Sequence, residues 1–137
     1  MIMREIKFRG YDNEHSKWVY GYYTKLVEHT RKFHAIIAEE KGELVRYYIH
    51  DRTTIGQFTG LHDKNGKEIY EGDILDSVLY NCWEYPQVMY SNEKCAFGVM
   101  TGWDWEPLDF YYISQNIVDD SEVIGNIHEN GDLLENT

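Results

Sequence analysis

The chain has 137 residues, 42% of them hydrophobic and 15% aromatic, and its 24 Asp and Glu against 13 Lys and Arg give a formal charge of −11. That length fits one domain, or two small subdomains sharing a core. So large an acidic excess repels a phosphate backbone unless the basic residues gather on one face, which argues against direct nucleic-acid binding.

Twelve Tyr and four Trp favour strands, and with only two prolines and no repetitive tract there is no sign of a linker. The N-terminus lacks a basic segment followed by an apolar core, and no apolar run approaches the ~20 residues of a membrane-spanning helix, so a cytosolic protein is expected. Cys82 and Cys95 are too far apart for a CxxC device. In a reducing compartment they read as free thiols.

Residues 4–9 alternate, with Glu5, Lys7 and Arg9 on one face and Ile6 and Phe8 on the other, the period of a half-buried strand. Gly10 to Ser16 then read as a turn. Residues 17–27 are aromatic and β-branched and predict an antiparallel partner strand, with Gly21 as a bulge or a close backbone approach. Residues 26–41 allow two readings, because Leu26, Phe33 and Ile37 could share a helical face. The strand formers on both sides of Gly42 favour a hairpin of residues 34–39 with 43–49. Asp51-Arg-Thr-Thr54 reads as a turn, or a single helical turn capped by a side chain.

Residues 54–75 form the hub of the chain. Asn65-Gly66 suits a type I′ turn, in which both residues take positive φ, between the strand residues Leu61 and Ile69-Tyr70. Gly72 before Asp73-Ile74-Leu75 marks a bend or bulge that launches the next strand in a new direction, with Asp73 as a turn residue bonding backbone amides. Beyond it, residues 74–80, 87–90, 96–100, 110–113 and 122–127 read as five short strands, the spacing of a compact barrel.

The stretches Ile55-Gly-Gln-Phe-Thr-Gly-Leu61, Asp63-Lys-Asn-Gly-Lys-Glu-Ile-Tyr-Glu-Gly-Asp-Ile74 and Glu122-Val-Ile-Gly-Asn-Ile-His-Glu-Asn130 resemble signature segments of the YopX family. Arg4-Glu-Ile-Lys-Phe-Arg-Gly10 with Lys17-Trp-Val-Tyr-Gly21 is similar to that family's opening segment. The resemblance implies a mainly β protein encoded by phages and prophages of mainly Gram-positive bacteria. It supplies no activity and no catalytic residues.

The residues themselves offer little chemistry. The six histidines, at 15, 29, 34, 50, 62 and 128, form no local zinc spacing, and only a tertiary meeting such as His62-Asp63 with Glu71 or Asp73 would make a site. The carboxylate pairs Glu71 with Asp73 and Asp104 with Glu106 are what an acidic chain produces by chance. No G-x-S-x-G elbow or phosphate loop occurs. No cofactor or metal is expected.

The aromatic-acidic run from Trp103 to Ile113 combines interface anchors with a polar setting, so Trp103, Trp105 and Tyr111 are candidate protein contacts, with core packing as the alternative. The expected fold is all-β, with short antiparallel strands and hairpins in two small, packed, barrel-like subdomains, residues 1–60 and 61–137, the second SH3-like. The expected function is a non-enzymatic module that binds a host protein or copies of itself. A second reading is an acidic mimic that occupies a basic cleft of nucleic-acid machinery, and a third is an enzyme whose site forms only in three dimensions.

Overall fold

The computed structural model describes residues 3–76, 86–101 and 109–130. It is mainly β, with antiparallel strands in two sheets, and the chain forms two compact units, Met1–Phe58 and Thr59–Thr137.

In the first unit β1 (Phe8–Asp12), β2 (Lys17–Glu28), β3 (Arg31–Glu40) and β4 (Glu43–Tyr48) form a meander. The start of β5 (Gly56–His62) returns beside β1, so the order is β4-β3-β2-β1-β5. Two-residue turns set the register. His29 and Thr30, at φ 47° and 70°, close Glu28 onto Arg31, and Lys41 and Gly42, at 50° and 79°, close Glu40 onto Glu43. Paired positive φ values are the primed geometry whose twist matches that of the flanking strands. Residues 26–41 are therefore strand and turn, and the helical reading fails because Leu26, Phe33 and Ile37 lie on one face of a two-residue repeat as well.

The sequence places the first strand too early. Its ladder with β2 starts at Phe8, and Gly10, read as the start of a turn, lies inside β1 with Ile49 packed against it. The alternation at residues 4–9 is real for an extended chain but does not say where pairing begins. At Gly21 the expected close approach is present, since any Cβ there would run into the carbonyl oxygen of Ile37 on β3. One face of this sheet carries the core. Val19, Ile36, Ala38, Tyr47 and Ile49 are buried there, with Phe8, Tyr23, Val45 and Ile55 packed against them. The expected capped turn is a single 3₁₀ turn, Arg52–Thr54, with the Asp51 carboxylate accepting the Thr53 N–H at 3.1 Å.

In the second unit the remainder of β5 neighbours β6 (Glu68–Tyr70). The chain then enters a separate sheet formed by β7 (Asp73–Leu75), β8 (Gln87–Ser91), β9 (Ala96–Thr101), β10 (Asp109–Tyr112) and β11 (Val123–Asn126), in the order β10-β9-β8-β7-β11. Its core is Ile69, Leu75, Val88, Val99, Val118 and Val123, with Leu61 and Ile113 against it. A short helix, α1 (Gln115–Val118), precedes β11 and contributes Val118; a single turn of this length leaves no periodicity to read.

Among the described residues neither sheet closes into a barrel, so the barrel-like expectation becomes two open antiparallel sheets, and no SH3-like closure is seen. Strand spacing along a chain gives the number of short strands but not whether the two outer strands meet, and closure depends on that meeting. The described helix is not long and apolar enough to cross a membrane.

Candidate functional site

The central hairpin is a structural device built around Asp63. Gly66 N–H donates to Asp63 O at 2.9 Å and Asp63 N–H to Lys67 O at 2.8 Å, while Gly66 has φ 79° and Asn65 is not among the residues of positive φ. That is a type I turn followed by a glycine bulge, not the type I′ turn that Asn65-Gly66 suggests, because the loop has three residues and only Gly66 is left-handed. The buried Asp63 carboxylate accepts three backbone N–H groups: Asn65 at 2.8 Å, Lys67 at 2.9 Å and, sixty positions along the chain, Val123 at 3.0 Å. Burial alone pushes its pKa up, but these three bonds and the nearby Lys67 charge outweigh burial and hold it below the ordinary value.

Gly72, at φ 90°, is where the chain passes from β6 to the second sheet. Its N–H donates to Val88 O and its own carbonyl accepts from Ile127 N–H, both at 2.8 Å. Asp73 is buried, and its Oδ2 accepts the Tyr70 N–H at 2.8 Å. A buried carboxylate tied to backbone has an architectural role, so the Glu71 and Asp73 pair has no separate chemistry on show. Tyr111 is an exposed residue of β10, registered with Val99 on β9. Trp103 and Trp105, like the pair Asp104 and Glu106, lie outside the described residues.

Asp12, Glu14 and His15, in the β1–β2 turn, place one ligand atom each within 4.8 Å of one another. The sequence reading did not single them out. The Asp12 carboxylate is already used locally, accepting Glu14 N–H at 3.1 Å and pairing with His15 Nδ1 at 2.5 Å. A buried acid that ends a strand by capping its turn accounts for the whole arrangement.

The feature with functional character is the face of the first sheet opposite its core. Strand alternation and register put Trp18, Tyr20, Tyr22 and Leu26 of β2, Phe33 and Ile37 of β3, and Leu44 and Tyr48 of β4 on it. Tyr22 pairs with Ile37 and Ile37 with Arg46, Leu26 pairs with Phe33, and Ala35 pairs with Tyr48. Neighbouring rings meet edge to face. Tyr11 lies 5.5 Å from Trp18 and Phe33 lies 5.8 Å from Tyr48, centroid to centroid, while the Arg9 guanidinium sits 4.8 Å from the Trp18 ring centre. Tyr22 keeps 65% of its surface open and Leu44 72%, with Tyr20 also exposed, while Trp18, Leu26, Phe33, Ile37 and Tyr48 are half-buried.

Charge on this face is sparse and mixed. Across β2, β3 and β4 the exposed Arg31 and Arg46 stand with Glu28 and Glu39, without a lysine or an aspartate, and Arg9 of β1 is buried. Arg46 lies 3.9 Å from Glu28 and donates to the Oη of Tyr48, two residues on in the same strand, at 3.4 Å, a bond that raises its pKa. Aromatics and arginine without lysine or aspartate are the composition of a protein contact. The period-two run Trp18, Tyr20, Tyr22 is visible in the sequence; its union with Phe33, Ile37, Leu44 and Tyr48 required the register of the two hairpins.

No curated protein matches the chain. Among solved structures, the crystal structure of protein EF1440 from Enterococcus faecalis is similar, with 28% identity and a TM-score of 0.53, covering 96% of this chain and 99% of that one. The model of the family described as YopX protein matches residues 7–135. A match over nearly the whole length agrees with the segments on either side of the Asp63 turn, and the chain belongs to the YopX family.

Proposed function

We propose that this protein is a non-enzymatic protein-binding module, an accessory protein of phage or prophage origin acting in the bacterial cytosol, whose contact surface is the outer face of β2, β3 and β4. One observation carries the reading: an exposed aromatic and aliphatic sheet face with arginine and no lysine or aspartate, in a chain otherwise rich in acid. Tyr22 and Leu44 are its most open members and act as anchors. Tyr111, exposed in the second unit, is a further candidate contact, as are Trp103 and Trp105.

A second reading has its own support. The second unit has three Lys and Arg against sixteen Asp and Glu, a formal −13, with Asp119 and Asp120 exposed beside Glu122. Such a unit suits a basic cleft on a partner, as an acidic mimic would.

Affinity capture from host lysate, followed by binding of the purified partner, tests the choice. Tyr22→Asp and Leu44→Asp should each weaken binding by about 30-fold or more, the scale of an anchor worth about 2 kcal/mol. Val27→Asp, at an equally open position on the opposite face of the sheet, should bind like wild type. A partner indifferent to Tyr22 and Leu44 but lost on reversing Asp119 and Asp120 would replace the first reading with the second.

A further inference from the structure

The charges of the outer face say what kind of surface can cover it. A face of one sign repels its own copy, whereas this one mixes both in equal number, with the exposed Arg31 and Arg46 beside Glu28 and Glu39 in a chain of net −11. It is therefore a place where two copies can meet without stacking like charge on like charge. Glu28 and Arg31 flank the His29–Thr30 turn and Glu39 lies near the Lys41–Gly42 turn, while Arg46 stands opposite Ile37 and lies 3.9 Å from Glu28. The open Tyr22 and the half-buried Leu26, Phe33 and Ile37 lie among these charges.

We infer that the occupant of this face is the same face of a second copy, giving a two-fold dimer. In a two-fold contact each residue's neighbour across the interface has the reciprocal neighbour, so a patch must complement itself in shape and charge. Arginine forks of one copy would meet the Glu28 and Glu39 carboxylates of the other, a geometry suited to bidentate pairing. The aromatic and aliphatic side chains would cover one another. Two-fold pairing closes, so association stops at two chains.

This inference rests on the protein-contact reading, but the two can fail separately. The mass of the full chain is measured by sedimentation equilibrium and light scattering between about 1 and 200 μM, with Tyr22→Asp, Leu44→Asp and Val27→Asp alongside, each checked by circular dichroism. The expected result is the mass of two chains for wild type and Val27→Asp at the upper concentrations. Tyr22→Asp and Leu44→Asp should remain single chains, or need at least 30-fold more protein to pair. A wild type that stays a single chain at 200 μM overturns the dimer, while a lysate partner lost with Tyr22→Asp would leave the protein-binding reading standing. A dimer untouched by both substitutions, or growth beyond two chains, also overturns it.

Discussion

Asp63 shows how one side chain ties distant stretches of this chain together. Its two oxygens satisfy N–H groups of Asn65, Lys67 and Val123, so the charged form is favoured in the folded protein and its pKa lies below the ordinary value. A depressed carboxylate contributes stability that is present above its unfolded pKa, near 4, and is lost as pH falls through the lower folded value. Asp63→Asn should cost about 2 kcal/mol at neutral pH, since the amide is uncharged and has one acceptor oxygen in place of two. Melting curves at pH 7 and pH 3 test this: the gap between wild type and variant should narrow at the lower pH. Gly21 is the other decisive residue. The Ile37 carbonyl occupies the place of a Cβ, so Gly21→Ala should destabilise by about 1–3 kcal/mol by forcing β2 away from β3, measured by denaturant unfolding.

The hairpin β2–β3 turns on two residues poorly suited to it. His29 and Thr30 take φ 47° and 70°, and a β-branched residue in the left-handed region is strained by about 1–3 kcal/mol. Replacing the pair by Asn-Gly, which adopts this geometry readily, should raise stability by about 1 kcal/mol and leave the ladder from Tyr22 to Glu28 unchanged. Calorimetry of the double variant reads this directly, and an unchanged or lowered melting temperature would count against the assigned turn. The companion turn Lys41–Gly42 already has glycine at its second position. At the central hairpin the outcome was different. Asn65-Gly66 is the strongest short hairpin signal in the chain, yet the loop takes three residues, because the Asp63 side chain secures the start of a type I turn and Gly66 alone supplies the left-handed step.

Across the whole molecule, charge is divided. The first unit has ten Lys and Arg against eight Asp and Glu, a formal +2, and the second three against sixteen. A uniform acidic repulsion does not describe such a chain, and the exposed aromatic face belongs to the unit without acidic excess. Direct affinity for DNA or RNA should still be undetectable at physiological salt, since the face exposes two arginines offset by two glutamates and phosphate binding needs several uncompensated cations. Fluorescence anisotropy with single- and double-stranded oligonucleotides tests this. Tight binding with a steep salt dependence would reassign the aromatic face as a base-stacking platform.

By itself the sequence determined the β class, most strand positions, the close approach at Gly21, the bend at Gly72 and the family, because residue alternation, turn chemistry and motif identity are local along the chain. The first strand was displaced and α1 went unseen, since a pattern four to six residues long does not mark where pairing begins. Tertiary structure decided what depends on distant partners. The sequence puts Asp63 in a turn, and only the fold brings Val123 N–H to its carboxylate. It offers Trp18, Tyr20 and Tyr22 as an alternating run, and only the registers of β2 with β3 and β3 with β4 lay that run beside Ile37, Leu44 and Tyr48 to make one surface. Val123 is sixty positions from Asp63, and the registers of β2, β3 and β4 follow from where each hairpin turns, which residue alternation alone does not mark.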